Sequence, residues 1–339
     1  MQKNIGVIGC GYWGGHILRN FNNSELWNLK YACDIDQDRL DKVKYLYPNT
    51  IRTKDYKDLL NDPEIEAISI ATPVNSHYKL AKDSLLAGKH TWVEKPLTSS
   101  SKEAEELIKI ARDNNLILNV DHTYIYTPAV QKIKDIIANG DLGDILYFDS
   151  VRINLGLFQH DVNVVWDLAP HDISILAYCI GKKATSVNAT GKSIVKYSGK
   201  EIENIAYVTV HFDDRSLAHF HVNWLSPVKI RKIIFGGSEK MLVFDDMQNV
   251  EKIKIFDSGV KVENKEDIYE SLVQYRTGDM MSPAISNKEA LKEEVDHFYK
   301  CIVDGTDTIT NGEMGLEVVK ILEAANQSMK NDGASVSLI

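Results

Sequence analysis

Two regimes of hydrophobic patterning divide the chain. In roughly the first 120 residues, short continuous apolar runs alternate with segments of helical periodicity. The runs Asn4–Ile8, Asn28–Cys33, Ala67–Ala71, His90–Val93 and Leu116–Val120 read as strands buried on both faces. Helical patterns fill the gaps at Gly14–Phe21, Asp36–Leu46, Tyr56–Leu60, Ser76–Ala87 and Ser101–Asn114. Asp62-Pro63-Glu64 marks a turn, and Ala87-Gly88-Lys89 marks a helix stop. Strands separated by helices of this length predict parallel βαβ units and a doubly wound sheet of the α/β class.

After Tyr126 the pattern changes. A helix Ala129–Asn139 and a strand near Ile145–Asn154 precede a helix from about Leu168 to Ile180. Pro170 is best tolerated in a first helical turn, so this last helix is expected to start near Asp167 or Leu168. Period-two alternation then takes over: Ala206, Val208, Val210 and Phe212 on one strand, and Ala218, Phe220, Val222 and Trp224 on another. Such strands make an antiparallel sheet with one apolar face. Two helices, Lys288–Val303 and Gly315–Met329, close the chain. The expected architecture is a parallel-sheet domain over residues 1–121, then an α+β domain over 122–339 with a large, open, mostly antiparallel sheet.

Composition narrows the classes. A chain of 339 residues exceeds one ordinary core, and 44% hydrophobic with 26% charged residues describes a globular protein. No apolar stretch approaches the ~18 residues of a membrane span. Met1-Gln2-Lys3-Asn4 leads directly into a core strand, so a cytoplasmic location is expected. A net charge of −9 with no basic stripe argues against nucleic-acid binding. Cys10, Cys33, Cys179 and Cys301 stand far apart, as small hydrophobes rather than metal or disulfide partners. His219 and His221 share a strand face, but no nearby quartet of ligands makes a metal site. That polar sheet face is better read as a surface covered by a second copy, giving a homodimer or homotetramer.

The most specific signal follows the first strand: Gly9-Cys10-Gly11-Tyr12-Trp13-Gly14, with Asp34 twenty residues past the last glycine. Gly9 allows the tight turn, Gly11 lets backbone approach a pyrophosphate, and Gly14 lets the next helix pack against the strand. The helix beginning near Tyr12 and Trp13 then offers free N–H groups to the phosphates. Asp34 ends the second strand, where a carboxylate accepts the ribose hydroxyls of an adenosine and repels a 2′-phosphate. No Arg or Lys follows directly, so a Rossmann domain binding NAD is expected.

In open α/β sheets, ligands bind outside the carboxyl ends of the strands. Thr72-Pro73-Val74-Asn75-Ser76-His77 lies at one such end, with Ser76 placed to cap the next helix and Asn75 and His77 left as cofactor contacts. Glu94-Lys95-Pro96 lies at the next, and Pro96 keeps Lys95 out of helical conformation, over the strand end. Further on, Asp167 and His171 are spaced four apart. They are either a carboxylate–imidazole pair for proton transfer or a capping aspartate beside an unrelated histidine.

These motifs together resemble the superfamily of glucose–fructose oxidoreductase, inositol dehydrogenase and rhizopine-catabolism proteins, over essentially the whole chain. The stretches His122-Thr123-Tyr124, Pro128-Ala129-Val130, Arg152-Ile153-Asn154-Leu155-Gly156 and Asp161 to Asp172 look like its sugar-nucleotide branch, which includes UDP-N-acetylglucosamine 3-dehydrogenases. Asp121 stands where relatives often carry glycine. The resemblance implies that Lys95 hydrogen-bonds the reacting hydroxyl and that His171, supported by Asp167, exchanges its proton. It also implies cofactor contacts from Thr72, Glu94, Lys95, Pro96 and His122, and substrate contacts from Lys95, Tyr124, Arg152, Asn154, Asn163 and His171. Lys229, Arg231 and Lys232 form a basic group that reads as a solvated strand face rather than a diphosphate site.

The implied activity is NAD-dependent oxidation of the C3 hydroxyl of a nucleotide-linked N-acetylhexosamine. Its 3-keto product would be taken by an aminotransferase in surface-glycan or lipid A precursor synthesis. The alternatives are the same chemistry on myo-inositol, a free sugar or a 3-keto sugar nucleotide, and a non-catalytic NAD sensor. A sensor would have no need of Lys95, Asp167 and His171 together.

Overall fold

The computed structural model describes residues 2–338, apart from 157, 160–161, 197–198, 200 and 264–271. Asp161, which opens one of the matched stretches, therefore lies outside the described residues. The chain forms two compact units, each assembled from two stretches of sequence.

The first unit joins Met1–Thr127 to Lys288–Lys320. Its elements are β1 (Lys3–Ile8), α1 (Tyr12–Asn23), β2 (Trp27–Cys33), α2 (Gln37–Leu46), β3 (Ile51–Thr53), α3 (Lys57–Asn61), β4 (Ala67–Ile70), α4 (His77–Leu86), β5 (His90–Glu94), α5 (Ser101–Asp113) and β6 (Leu118–Asp121). All six strands run parallel in the order β3-β2-β1-β4-β5-β6. This is the doubly wound arrangement the alternating pattern predicts, with its switch point between β1 and β4. β3, only three residues long, gives no periodic signal of its own.

The second unit joins Pro128–Asn287 to Ile321–Ile339. It contains α6 (Pro128–Ala138), β7 (Ile145–Leu155), α7 (Val164–Ile180), β8 (Ala184–Lys192), β9 (Ile205–Phe212), β10 (Leu217–Asn223), β11 (Leu225–Gly237), β12 (Met241–Asp245), β13 (Ile253–Glu263) and β14 (Leu272–Met281). Nine strands make one sheet, ordered β14-β13-β12-β11-β7-β10-β9-β8-β15, where β15 is Val336–Ser337. Every pairing is antiparallel except β7 with β10. Ala206, Val208 and Val210 of β9 and Ala218, Phe220 and Val222 of β10 are buried, as their alternation requires.

The first unit is discontinuous in sequence, because α8 (Ala290–Asp304) returns to it. Its apolar stripe of Leu291, Val295, Phe298 and Cys301 is buried. Phe298 stacks on Trp27 at 5.6 Å and meets Trp92 edge-on at 5.4 Å, while Phe21 packs edge-on against both tryptophans. The Trp27 Nε1–H donates to the Val295 carbonyl at 3.1 Å. Aromatic pairs of this geometry contribute beyond their buried area. The division between the units falls inside α9 (Gly312–Lys330).

The helix carrying Asp167 and His171 starts earlier than Pro170 suggests. Its cap is Asn163, whose Oδ1 accepts the N–H groups of Val165 and Trp166, both at 3.2 Å. Pro170 is the seventh residue of α7 and is tolerated inside it. An interior proline costs about 3 kcal/mol. Burial of Val164, Val165, Ala169, Ile173, Ile175, Leu176 and Cys179 offsets that cost.

Candidate active site

The glycine turn is held by close packing at two of its glycines. Gly9 has φ +97°, and a Cβ there would run into the Ala71 carbonyl at the end of β4. A Cβ on Gly14 would occupy the Gly9 carbonyl. Gly11 differs: its hypothetical Cβ meets only the Arg39 guanidinium, at 3.6 Å. Gly11 also caps α1 with no side-chain hydrogen bond, so the first-turn N–H groups at Tyr12 and Trp13 face a cradle that admits a phosphate. Tyr12 and Ile35, beyond the ends of β1 and β2, are 87% and 86% exposed.

Asp34 sits where the sequence places it, at the end of β2. Its Oδ2 accepts the Cys10 N–H at 2.7 Å and its Oδ1 accepts the Asp36 N–H at 2.9 Å. No Arg or Lys follows Asp34 directly, yet the fold brings Arg39 Nη1 to 3.4 Å from its Oδ2. Arg39 comes from the first turn of α2, too far along the sequence to be read as following the aspartate directly.

At the end of β4, Ser76 does not cap α4. Its hydroxyl donates to the Pro73 carbonyl and pairs with Thr72 Oγ1, both at 2.7 Å. His77, expected as a cofactor contact, is buried, and its ring nitrogens lie 2.9 Å from the Pro96 carbonyl and 2.7 Å from the Thr72 carbonyl. It pins the Glu94-Lys95-Pro96 loop, which contains a cis Lys95–Pro96 bond, to the neighbouring strand end. Burial pushes its pKa down, chiefly by desolvation. Asn75 is exposed and Thr72 half-buried at the same rim.

Lys95 is half-buried at the end of β5. Behind it lies a group of carboxyls from three elements: Glu94 of β5, Asp121 of β6 and Glu294 of α8. Asp121 accepts the Trp13 Nε1–H at 2.6 Å and the Thr123 hydroxyl, tying the end of β6 to the start of α1. Asn119 Nδ2 donates to Glu294 Oε1 at 3.2 Å. Burial, and then the charge of Asp121, raise the pKa of both Glu94 and Glu294 well above the usual carboxyl range. His122 is enclosed beside Lys95 with neither ring nitrogen hydrogen-bonded, and its pKa is pushed down to about 3 by burial and then by Lys95. Glu294 escaped the sequence reading, although a glutamate on the buried stripe of a helix is itself a signal.

In the second unit, Asp167, Leu168 and His171 are half-buried on a helix otherwise largely enclosed. Asp167 lies in the first turn, where its charge suits the helix dipole, and its Oδ2 accepts the Trp224 Nε1–H at 2.9 Å. It is not the cap, so that bland explanation of the residue falls. Two expected substrate contacts have partners within the second unit. Arg152 is buried, with Nε 3.0 Å from Asp172 Oδ2 and Nη2 2.6 Å from Oδ1. Asn163, besides capping α7, donates to Glu203 Oε2 at 3.0 Å and Asn326 Oδ1 at 2.9 Å. Asn154 and Tyr124 remain half-buried. Arg231 and Lys232 pair with Asp246 and Asp245, each at 3.4 Å, as a strand face would. His219 pairs with Asp149 at 3.1 Å, and Tyr207 stacks on His221 at 4.5 Å.

Comparison with known proteins fits this arrangement. Residues 3–122 match the model described as the oxidoreductase family, NAD-binding Rossmann fold, and residues 130–243 match the Gfo/Idh/MocA C-terminal domain. The chain belongs to the Gfo/Idh/MocA family. As a member it is an NAD-dependent oxidoreductase acting on CH–OH groups. It is 26% identical to the uncharacterized oxidoreductase YrbE of Bacillus subtilis, covering 97% of this chain and 95% of that one. It is 31% identical to UDP-N-acetylglucosamine 3-dehydrogenase of Acidithiobacillus ferrooxidans over 39% of this chain and 41% of that one. The solved structure of that enzyme superposes with a TM-score of 0.78 at 21% identity, covering 98% of this chain and 99% of the other. Levoglucosan dehydrogenase in complex with NADH has the same fold, with a TM-score of 0.84 at 19% identity over the whole of both chains. Among the described residues of this Gfo/Idh/MocA protein, no helix is long and apolar enough to cross a membrane.

Proposed function

We propose that the protein oxidises the C3 hydroxyl of a nucleotide-linked N-acetylhexosamine, with UDP-N-acetylglucosamine the first substrate to try. The observation that carries this reading is the half-buried pair Asp167 and His171, left open on an otherwise enclosed helix, in a chain that also keeps Lys95 at the rim of the dinucleotide sheet. The 31% identity to UDP-N-acetylglucosamine 3-dehydrogenase supports the choice of sugar.

A bound nicotinamide would supply the acceptor for the hydride lost from carbon. Lys95 stabilises the negative charge that grows on the alcohol oxygen, and His171 receives its proton. Asp167, one turn before His171 on α7, is spaced to orient the imidazole. The neutral, enclosed ring of His122 supplies a polar partner beside Lys95 for a bound cofactor or substrate group. Glu94 and Pro96 shape the loop that aims Lys95.

The test is to incubate the protein with NAD+ and nucleotide sugars, free sugars or inositols, with a trap for the ketone, and follow NADH absorbance. Turnover confined to UDP-linked N-acetylhexosamines is expected, and a response to myo-inositol alone would overturn the sugar-nucleotide reading. The 3-keto product is a substrate for transamination, which fits an aminotransferase acting next.

A further inference from the structure

Trp224 follows the apolar alternation of β10 and is 1% exposed, yet its single polar side-chain atom is directed at α7. The indole Nε1–H donates to Asp167 Oδ2 at 2.9 Å. A buried indole N–H needs an acceptor, and any backbone carbonyl would satisfy it. Here it takes a half-buried carboxylate in the first turn of the helix that carries His171. Hydrogen bonds to an ionised acceptor are about twice as strong as neutral ones, and this one restricts how the carboxylate turns.

Donor and acceptor are mounted on one support. The Glu203 carbonyl accepts the N–H of Val164, the first residue of α7, at 3.0 Å, and the adjacent Asn204 carbonyl accepts the Trp224 N–H at 2.9 Å. On the other side, the Gly156 N–H donates to the Trp224 carbonyl at 3.0 Å, and the Phe158 ring lies 5.4 Å from the indole. A Cβ on Gly156 would stand 2.9 Å from Trp224 Cδ1, the ring carbon bonded to Nε1, and 3.0 Å from Asn154 Nδ2. The indole is therefore packed on its donor edge, where only a glycine leaves it room, and its N–H is aimed before any ligand arrives.

We propose that Trp224 is a positioning residue for proton transfer: its indole holds Asp167 in the orientation that serves the His171 imidazole, and Gly156 keeps the space that allows it. The inference rests on the reading of Asp167 and His171 as the proton-handling pair. It is independent of which alcohol the enzyme oxidises.

An NMR titration of the His171 imidazole in the full chain, without cofactor or alcohol, tests it. Its resonance is identified by its loss in His171→Ala. In Trp224→Phe the released carboxylate turns to water, so the titration midpoint falls by more than about 0.3 unit, towards that of Asp167→Asn. In an Asp167→Asn background the same change moves the midpoint by less than about 0.3 unit, because the indole acts only through that carboxylate. Gly156→Ala keeps the indole but crowds its donor edge, and shifts the midpoint in the same direction as Trp224→Phe. An unchanged or raised midpoint in Trp224→Phe, or equal shifts with and without Asp167, would overturn the proposal and leave Trp224 as core packing. The thermal midpoint of each variant checks that it is folded, and Gly156→Ala carries the test if Trp224→Phe is not. Failure to oxidise UDP-N-acetylglucosamine would sink the substrate reading and leave this measurement untouched. With any alcohol that does turn over, Trp224→Phe lowers kcat about tenfold or more with KM nearly constant, and an unchanged kcat would equally overturn the proposal.

Discussion

Arg152 and Asp172 form a buried two-point ion pair between β7 and α7, with Ser150 donating to the same carboxylate at 2.7 Å. This makes Arg152 a strut that fixes the catalytic-candidate helix to its sheet. Removing one partner of a buried pair leaves an uncompensated charge and costs about 3–5 kcal/mol. Arg152→Ala should therefore lower the thermal midpoint sharply. If Arg152 bound substrate instead, the variant would keep its melting temperature and lose only affinity.

The two glycines at the start of α1 should fail in different ways. Gly14→Ala pushes a methyl into the Gly9 carbonyl, so it destabilises the fold by about 1–3 kcal/mol. Gly11→Ala meets only the flexible Arg39 end and should leave the melting temperature nearly unchanged. It places a methyl in the path of the pyrophosphate, so NAD+ affinity should fall at least tenfold. Paired thermal melts and NAD+ titrations distinguish the two, and equal losses of stability would refute the assignment.

Lys95→Met and His171→Ala should each reduce kcat/KM by about 10²–10⁴, the usual range for proton-handling groups. Neither should change NAD+ affinity more than threefold. Near-normal turnover in either variant removes that residue from the mechanism.

The carboxyl group behind Lys95 predicts a pH signature. Glu94 and Glu294 keep their protons well above pH 4.5, where the same side chains ionise in the unfolded chain. Above that pH the folded state holds more protons than the unfolded one, so stability falls as pH rises towards the raised values. Glu294→Gln removes one such proton while still accepting from Asn119. It should flatten the fall in melting temperature between pH 5 and 8 and raise the midpoint at pH 8 by about 2 °C per kcal/mol recovered. Identical slopes in the variant and the parent would show that the buried proton is absent.

The fold and the dinucleotide motif were legible because their signals are local. Gly9, Gly11, Gly14 and Asp34 fall within one βαβ unit, and alternating apolar residues reveal β9 and β10 without reference to anything distant. What escaped depends on partners remote in sequence. Asn119 and Glu294 are 175 positions apart, so no local pattern announces their contact. Arg152 and Asn163 have the composition of sugar-binding residues, and only their pairing with Asp172, Glu203 and Asn326 shows them engaged elsewhere. Pro170 misplaced the helix start because burial along α7 outweighs one missing hydrogen bond.

The return of α8 to the first sheet has a consequence for biogenesis. When residues up to Thr127 have left the ribosome, Trp27 and Trp92 still lack the Phe298 ring that will cover them. The nascent cofactor-binding half must wait, with a greasy surface open, until some 170 further residues have been made. A fragment cut at residue 121 is thus an incomplete body rather than a portable module, and any graft of this nucleotide-binding half onto another protein must bring the later helix with it.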